Sequence, residues 1–355
     1  MNCVVLGAGL MGRLLAHALA TAGHSVTVHE ARSEDGMGAA ARVAASMLAP
    51  LAESAITEWP VVDMGQYSLQ RWPGLIQQLP TPVYFQQQGT LILWHQPDAL
   101  QARMLVDKLQ INSRQLPQEC SPQKIDNDEL RTLEPELSAK FQQGLFLPRE
   151  GQLDNRQLLA GLLQSLQQQK VDLHWHSAKS LDDLAALLAR GADWVFDCRG
   201  TGASSDWTHL RGVRGEVIRL FAPEVNLQRP VRLVHPRYPL YIAPKQDHVY
   251  VIGATEIESD DTSEASVRST LELLSAAYSL HSGFAEARIL EINTQLRPAL
   301  KNNLPGIRRI GDKCLQINGL YRHGFLIAPA MLDAVLALVQ GDTSLADRFE
   351  LVKEN

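Results

Sequence analysis

The sequence predicts an α/β chain, α+β overall: a doubly wound, Rossmann-like nucleotide-binding domain with an antiparallel-sheet domain interleaved in it. Three stretches carry that prediction. Residues Asn2 to Glu30 run strand, glycine turn, helix, strand, acid. Residues Asp193 to Ala203 run from an apolar strand into a second glycine turn. Between Gly212 and Glu258, strand-like segments separated by polar turns have the pattern of an antiparallel sheet.

In the opening unit an apolar run (Cys3, Val4, Val5, Leu6) precedes Gly7-Ala8-Gly9-Leu10-Met11-Gly12. An amphipathic segment then reaches Gly23, and a second apolar run (Val26, Thr27, Val28) closes on Glu30. Gly7 allows the tight turn, Gly9 lets backbone approach a pyrophosphate, and Gly12 lets the helix pack close to the sheet. The helix starts where its unpaired N–H groups can receive phosphate oxygens. Glu30 stands at the tip of the second strand, where a carboxylate accepts ribose hydroxyls. An acid there favours FAD or NAD over NADP, and this stretch does not separate the first two.

A chain of 355 residues accommodates two domains, and 45% apolar residues support a sizeable core. The net charge of −6 forms no long run of either sign, which argues against nucleic acid or an anionic membrane as partner. The four cysteines (Cys3, Cys120, Cys198, Cys314) are far apart, without CxxC or metal-ligand spacing. They read as reduced thiols, and no metal is expected. The first strand begins at residue 2 or 3, with no room before it for a leader, and the apolar stretch Phe325–Val339 is interrupted by Asp333. A soluble, cytoplasmic chain is expected; self-association into a homo-oligomer is left open.

The small-residue tract Gly36–Ala45, followed by Ser46-Met47-Leu48-Ala49-Pro50, suits close backbone approach to a flat ligand or an Ala-rich helix. Residues 60–79 have helical apolar spacing (Val62, Tyr67, Leu69, Trp72, Leu75, Leu79) with a break expected at Pro73. Pro82–Trp94 reads as a hairpin around Gly89, and Asp98 as the cap of a helix to about Gln110. Residues 111–130 read as a surface connection. Phe141–Phe146 is strand-like, and Leu158, Leu159, Leu162, Leu163 and Leu166 form the core stripe of a helix.

Further on, helical periodicity through Val267, Leu271, Leu274 and Tyr278 is followed by a strand from Leu290 to Arg297. The chain closes with Gln316-Ile317-Asn318-Gly319, then Leu320-Tyr321-Arg322-His323-Gly324, then an apolar helix to about Gln340. Gly319 and Gly324 bracket a helix N-terminus, which stabilises negative charge on a ligand. No low-complexity linker separates the domains, so they are expected to interleave.

With these residues in view the sequence resembles the D-amino-acid-oxidase family of FAD-dependent oxidoreductases. The resemblance rests on ordered blocks spread over nearly the whole chain: GAGLMG (7–12), SMLAP (46–50), DCRG (197–200), RGVRGE (211–216), HPRYPLYIAP (235–244), VIGATEIES (251–259), LRPAL (296–300) and NGLYRHGFLIAP (318–329). Within that family it is most similar to the glycine oxidases of thiamine biosynthesis. The resemblance implies an FAD-binding domain of residues 1–75, 141–211 and 291–355, and a substrate domain of 76–140 and 212–290. FAD is expected without a covalent link, since no cysteine lies in 297–313.

The resemblance also implies residue roles. Arg297 matches the arginine that clamps the substrate carboxylate with two parallel hydrogen bonds. Tyr241 matches the tyrosine that also reaches that carboxylate, Arg322 an arginine near flavin and substrate, Tyr238 a lid, and Met47 a pocket wall. FAD would lie against Gly7, Ala8, Gly9, Leu10, Met11, Gly12, Glu30, Ala31, Arg32, Ser46, Met47, Cys198, Arg199 and Gly200. It would also meet Arg297, Arg322, His323, Gly324, Phe325 and Leu326. Glu256 departs from the pattern, because several glycine oxidases place a methionine there. Its carboxylate would attract an ammonium group, pair with Arg322, or point to solvent.

The implied reaction is oxidative deamination of glycine or another small amino acid. Hydride passes from Cα to flavin N5, and dioxygen reoxidises the flavin to give peroxide. The imino acid would serve thiazole synthesis. A D-amino-acid or sarcosine-type oxidase or dehydrogenase of the same fold is the alternative.

Overall fold

A computed structural model describes residues 1–234 and 240–353. Tyr238 and the HPRYP half of its motif lie outside the described residues.

Among the described residues the longer strands form two sheets. The six-stranded sheet has the order Gly306–Ile310, Cys314–Asn318, Trp194–Asp197, Asn2–Leu6, Ser25–His29, Asp172–His174. All neighbours pair in parallel except the first two. Asn2–Leu6 is therefore central, buried on both faces, and Val5 and Leu6 are almost wholly inaccessible. Helix Leu10–Thr21 returns across this sheet with Leu14, Leu15 and Leu19 in the core.

The glycine turn is explained by packing. A β-carbon on Gly12 would overlap the carbonyl oxygen of Gly7, and one on Gly7 (φ +92°) would stand 2.8 Å from the carbonyl oxygen of Cys198. The second glycine turn thus sits beside the first because strand Trp194–Asp197 pairs with Asn2–Leu6.

The eight-stranded sheet has the order Arg288–Ala299, Arg211–Phe221, Val249–Gly253, Leu240–Pro244, Val231–Leu233, Thr90–Leu93, Gln143–Leu147, Gln123–Asp126. Strands Gln143–Leu147 and Arg288–Ala299 belong here, so the boundaries expected at 141 and 291 do not follow sheet membership. Local apolar pattern marks a strand but does not name its partner.

The hairpin expected at 82–94 is also corrected. Phe85–Gln86 pairs with Gly151–Leu153 in a small third sheet, while Thr90–Leu93 joins the large one. The chain switches sheets at Gly89 (φ +85°), where any side chain would strike the ring of Phe146.

Pro73 does not break its helix, which runs unbroken over Trp59–Gln77. An interior proline costs roughly 3 kcal/mol. Burial offsets that cost: Trp72, Leu69 and Leu75 enter the core, and Trp72 Nε1 donates to the carbonyl of Phe325 at 2.9 Å. The partner helix Gly324–Val339 is apolar and long enough, with its preceding turn, to resemble a membrane span, but 67% of that span is buried inside the fold. Asp333 on it is held by Arg71 at 2.6 Å and by the Tyr67 hydroxyl at 2.8 Å.

Candidate active site

A cavity of about 800 Å³ extends from the opening glycine turn to the large sheet. At its nucleotide end the helix Leu10–Thr21 starts without a side-chain cap, so its first N–H groups are free for an anion. Gly9 faces open space: a β-carbon there would meet only Ala39, at 3.8 Å. Glu30 is held at the strand tip by the backbone N–H groups of Ala8 (2.7 Å) and Arg32 (3.0 Å). Arg199 is locked to Asp197 at 2.7 Å and to Asp206, which shapes the second turn.

The cavity wall includes every expected cofactor residue except Gly12, which lies beneath it against Gly7. The small-residue tract settles as both expected alternatives: Ala40–Val43 is a short helix, and Ala39 to Met47 line the cavity almost continuously. Its last residues are stapled from behind by Lys245, a residue that sequence reasoning missed. Nζ of Lys245 donates to Ala45 O (2.8 Å), Leu153 O (2.7 Å) and Gln152 Oε1 (3.0 Å). Burial pushes this lysine down to about 7.

The other end is cationic. Arg297, on the edge strand, donates from Nη2 to the carbonyl of Thr255 at 3.0 Å and from Nη1 to that of Arg214 at 3.4 Å. It has no carboxylate partner among the described residues. Gly215 makes the space for its guanidinium, and Gly253 makes the space for Tyr241, whose hydroxyl lies 2.5 Å from where a Gly253 β-carbon would stand. Both glycines fall in motif blocks, RGVRGE and VIGATEIES, in which only Glu256 had suggested a role. Burial raises the Tyr241 phenol although Arg297 acts to lower it, so the tyrosine is a neutral donor at neutral pH.

Arg322 differs from Arg297 because carboxylates, not backbone carbonyls, meet its two terminal nitrogens. Nη1 meets Glu256 Oε2 at 2.8 Å, and Nη2 meets Glu53 Oε2 at 3.2 Å. Of the three placements expected for Glu256, pairing with Arg322 is the observed one. Glu53 was missed; its only sequence signal is an acid ending the apolar run Leu48–Ala52. It also binds Arg232 at 2.6 Å and lies 3.5 Å from His323 Nδ1. Burial opposes its ionisation, but Arg322 and Arg232 outweigh that and hold it well below the carboxylate range. Burial pushes His323 down to about 4, so it is neutral at neutral pH.

Helix Gly324–Val339 also begins at the cavity without a side-chain cap. Two thiols bear on covalent attachment. Cys314 is buried in a separate apolar cluster and does not reach the cavity. Cys198 does line it, but burial raises its thiol far above the ordinary value.

An acid at the tip of the second strand, an uncapped helix start and a cavity ending at a guanidinium with no carboxylate partner among the described residues are the features of a dinucleotide site. The chain belongs to the FAD dependent oxidoreductase family, whose model matches residues 2–335. FAD is accordingly its cofactor, and the donor set above fits it. It is 37% identical to the putative thiamine biosynthesis oxidoreductase ThiO of Rhizobium etli, over 94% of this chain and 95% of the relative. Its fold is similar to that of glycine oxidase from Bacillus cereus (TM-score 0.80, 19% identity, 100% and 99% of the two chains). It is also similar to that of iminodiacetate oxidase from Chelativorans sp. BNC1 (TM-score 0.79, 19% identity, 96% and 95%).

Proposed function

We propose that this enzyme oxidatively deaminates glycine or another small amino acid, serving thiamine thiazole synthesis. The observation that carries the reading is Arg297: a guanidinium facing the cavity, neutralised by no carboxylate among the described residues, with the half-buried phenol of Tyr241 lining the same cavity. Such a pair binds one carboxylate and turns Cα toward the cavity's flat small-residue wall. The similarity to ThiO supports the biosynthetic setting.

FAD, when bound, supplies two-electron oxidation of the Cα–N bond, with dioxygen as final acceptor to give peroxide. Gly7 to Met11 and the first turn of helix Leu10–Thr21 would hold the pyrophosphate, and Glu30 the ribose. The tract up to Met47 and the start of helix Gly324–Val339 would flank the rings, held without a covalent bond. Arg297 and Tyr241 orient the substrate. His323 does not act as base, because it is buried and tied to Glu53.

We also infer that the six-stranded sheet forms the cofactor unit and the eight-stranded sheet the substrate unit, in a soluble cytoplasmic protein. Purified protein reconstituted with FAD should be yellow and should form peroxide with glycine, sarcosine or D-alanine. The absence of peroxide with all three overturns the oxidase reading; reduction of an artificial acceptor instead indicates a dehydrogenase.

A further inference from the structure

We infer that Glu256 is the charge selector of this pocket: paired with Arg322, it favours amino acids with one carboxylate and disfavours those with two. The inference rests on the amino-acid oxidase reading and adds a substrate class to it.

Among the described residues, three guanidinium groups (Arg297, Arg322, Arg232) and two carboxylates (Glu53, Glu256) line this end of the cavity. His323 and Tyr241 add no charge at neutral pH, because burial disfavours the charged form of each. The balance is one net positive charge, which matches one substrate carboxylate at Arg297. Arg322 is the obvious receptor for a second, but Glu256 at 2.8 Å and Glu53 at 3.2 Å already occupy it.

The two acids are not equivalent. Glu53 is buried, shared with Arg232, and unavailable to a ligand. The Glu256 side chain is 39% accessible and lies at the cavity wall. It acts on both sides of the pocket: it neutralises Arg322, and its negative charge reaches Arg297 as well. A second carboxylate therefore meets repulsion where an arginine alone would attract it, which is specificity by exclusion. The same charge draws in the ammonium end of a simple amino acid.

The test compares wild type, Glu256→Gln and Glu256→Asp as FAD-loaded proteins. Dissociation constants for acetate and malonate are read from the flavin absorbance change. Glu256→Gln keeps the size, removes the negative charge facing Nη1 of Arg322 and raises the net charge by one. Its malonate-to-acetate affinity ratio should rise about tenfold over wild type, the order expected of one charge acting at a few ångströms in a partly solvated cavity. Glu256→Asp should keep the wild-type ratio, and the ratio of kcat/KM for D-aspartate over D-alanine should move in parallel with the binding ratio.

An unchanged ratio in Glu256→Gln, or equal shifts in both variants, overturns the selector. If wild type binds neither ligand and oxidises no amino acid, the oxidase reading itself fails and takes the selector with it. If wild type does both, only the selector is at stake.

Discussion

Gly215 and Arg297 occupy the same volume by turns: a β-carbon on the glycine would overlap the guanidinium of the arginine. The two lie on adjacent antiparallel strands, Arg211–Phe221 and Arg288–Ala299, whose register brings them together. Gly215→Val should therefore displace Arg297 without touching the nucleotide end. The expected result is a rise in KM of ~10–100-fold, the size of losing one charge-assisted contact, with FAD content unchanged by absorbance.

Arg297→Leu removes the carboxylate receptor outright. Turnover should fall by at least about a thousandfold, since both binding and orientation of the substrate are lost. The protein should remain yellow and folded, because the hydrogen bonds Arg297 makes among the described residues go to two backbone carbonyls and to no other side chain. Turnover at the wild-type rate would remove Arg297 from the site.

Gly12→Val strikes the cofactor unit instead. No side chain fits between the helix and the Gly7 carbonyl, so the glycine turn must open. FAD affinity should drop by about a hundredfold or more, as pyrophosphate contacts and helix alignment fail together. Equilibrium titration of the apoprotein with FAD, followed by flavin fluorescence, measures the loss.

Glu53→Ala leaves Arg232 buried without its carboxylate and Arg322 with only Glu256. Breaking such a buried network by removing one partner costs about 3–5 kcal/mol. Chemical denaturation should show that loss of stability, with a lower midpoint and an unchanged slope. A midpoint within error of wild type would mean the cluster contributes nothing to folding.

Glu150 gives a pH signature. It is buried, accepts the N–H of Ala52 at 2.7 Å, and burial raises it from an ordinary 4.5 to about 7. Between those values the folded chain keeps a proton that the unfolded chain has released, so this group loses stability as pH rises through the window. The loss is about 1.4 kcal/mol per pH unit, about 3 kcal/mol in all. Glu150→Gln keeps the acceptor and removes the titration. The stability of Glu150→Gln relative to wild type should grow between pH 4.5 and 7 and then level off; a flat difference would contradict the raised value.

Sequence by itself determined the parts whose signal is local. The turn from Gly7 to Gly12, the acid at Glu30, the second glycine turn and the blocks holding Arg297, Tyr241 and Arg322 are all legible. In each, the feature lies in one backbone stretch or one side chain, and its neighbours in the chain announce it. Many strands were legible too, though not their partners: Gly89 reads as a hairpin turn until Phe146 and Glu150 show that it is a crossing between sheets. The stretch 111–130, read as a surface connection, instead contributes the edge strand Gln123–Asp126 to the large sheet, because its polar pattern hides the pairing with Gln143–Leu147.

Tertiary structure alone decided what depends on meeting at a distance. Glu53, Arg232, Glu256 and Arg322 come from four separate segments, and Glu53 and Arg232 each alone read as ordinary charges. Only the packing of the two sheets brings them together, and the burial of Glu53, Arg232 and most of Arg322 is what turns these charges into a fixed electrostatic network. Lys245 likewise looks like a turn residue until three oxygens from two other segments surround its amine. A period of two or of 3.6 residues records which face of an element is buried, but it carries no record of what that face will meet.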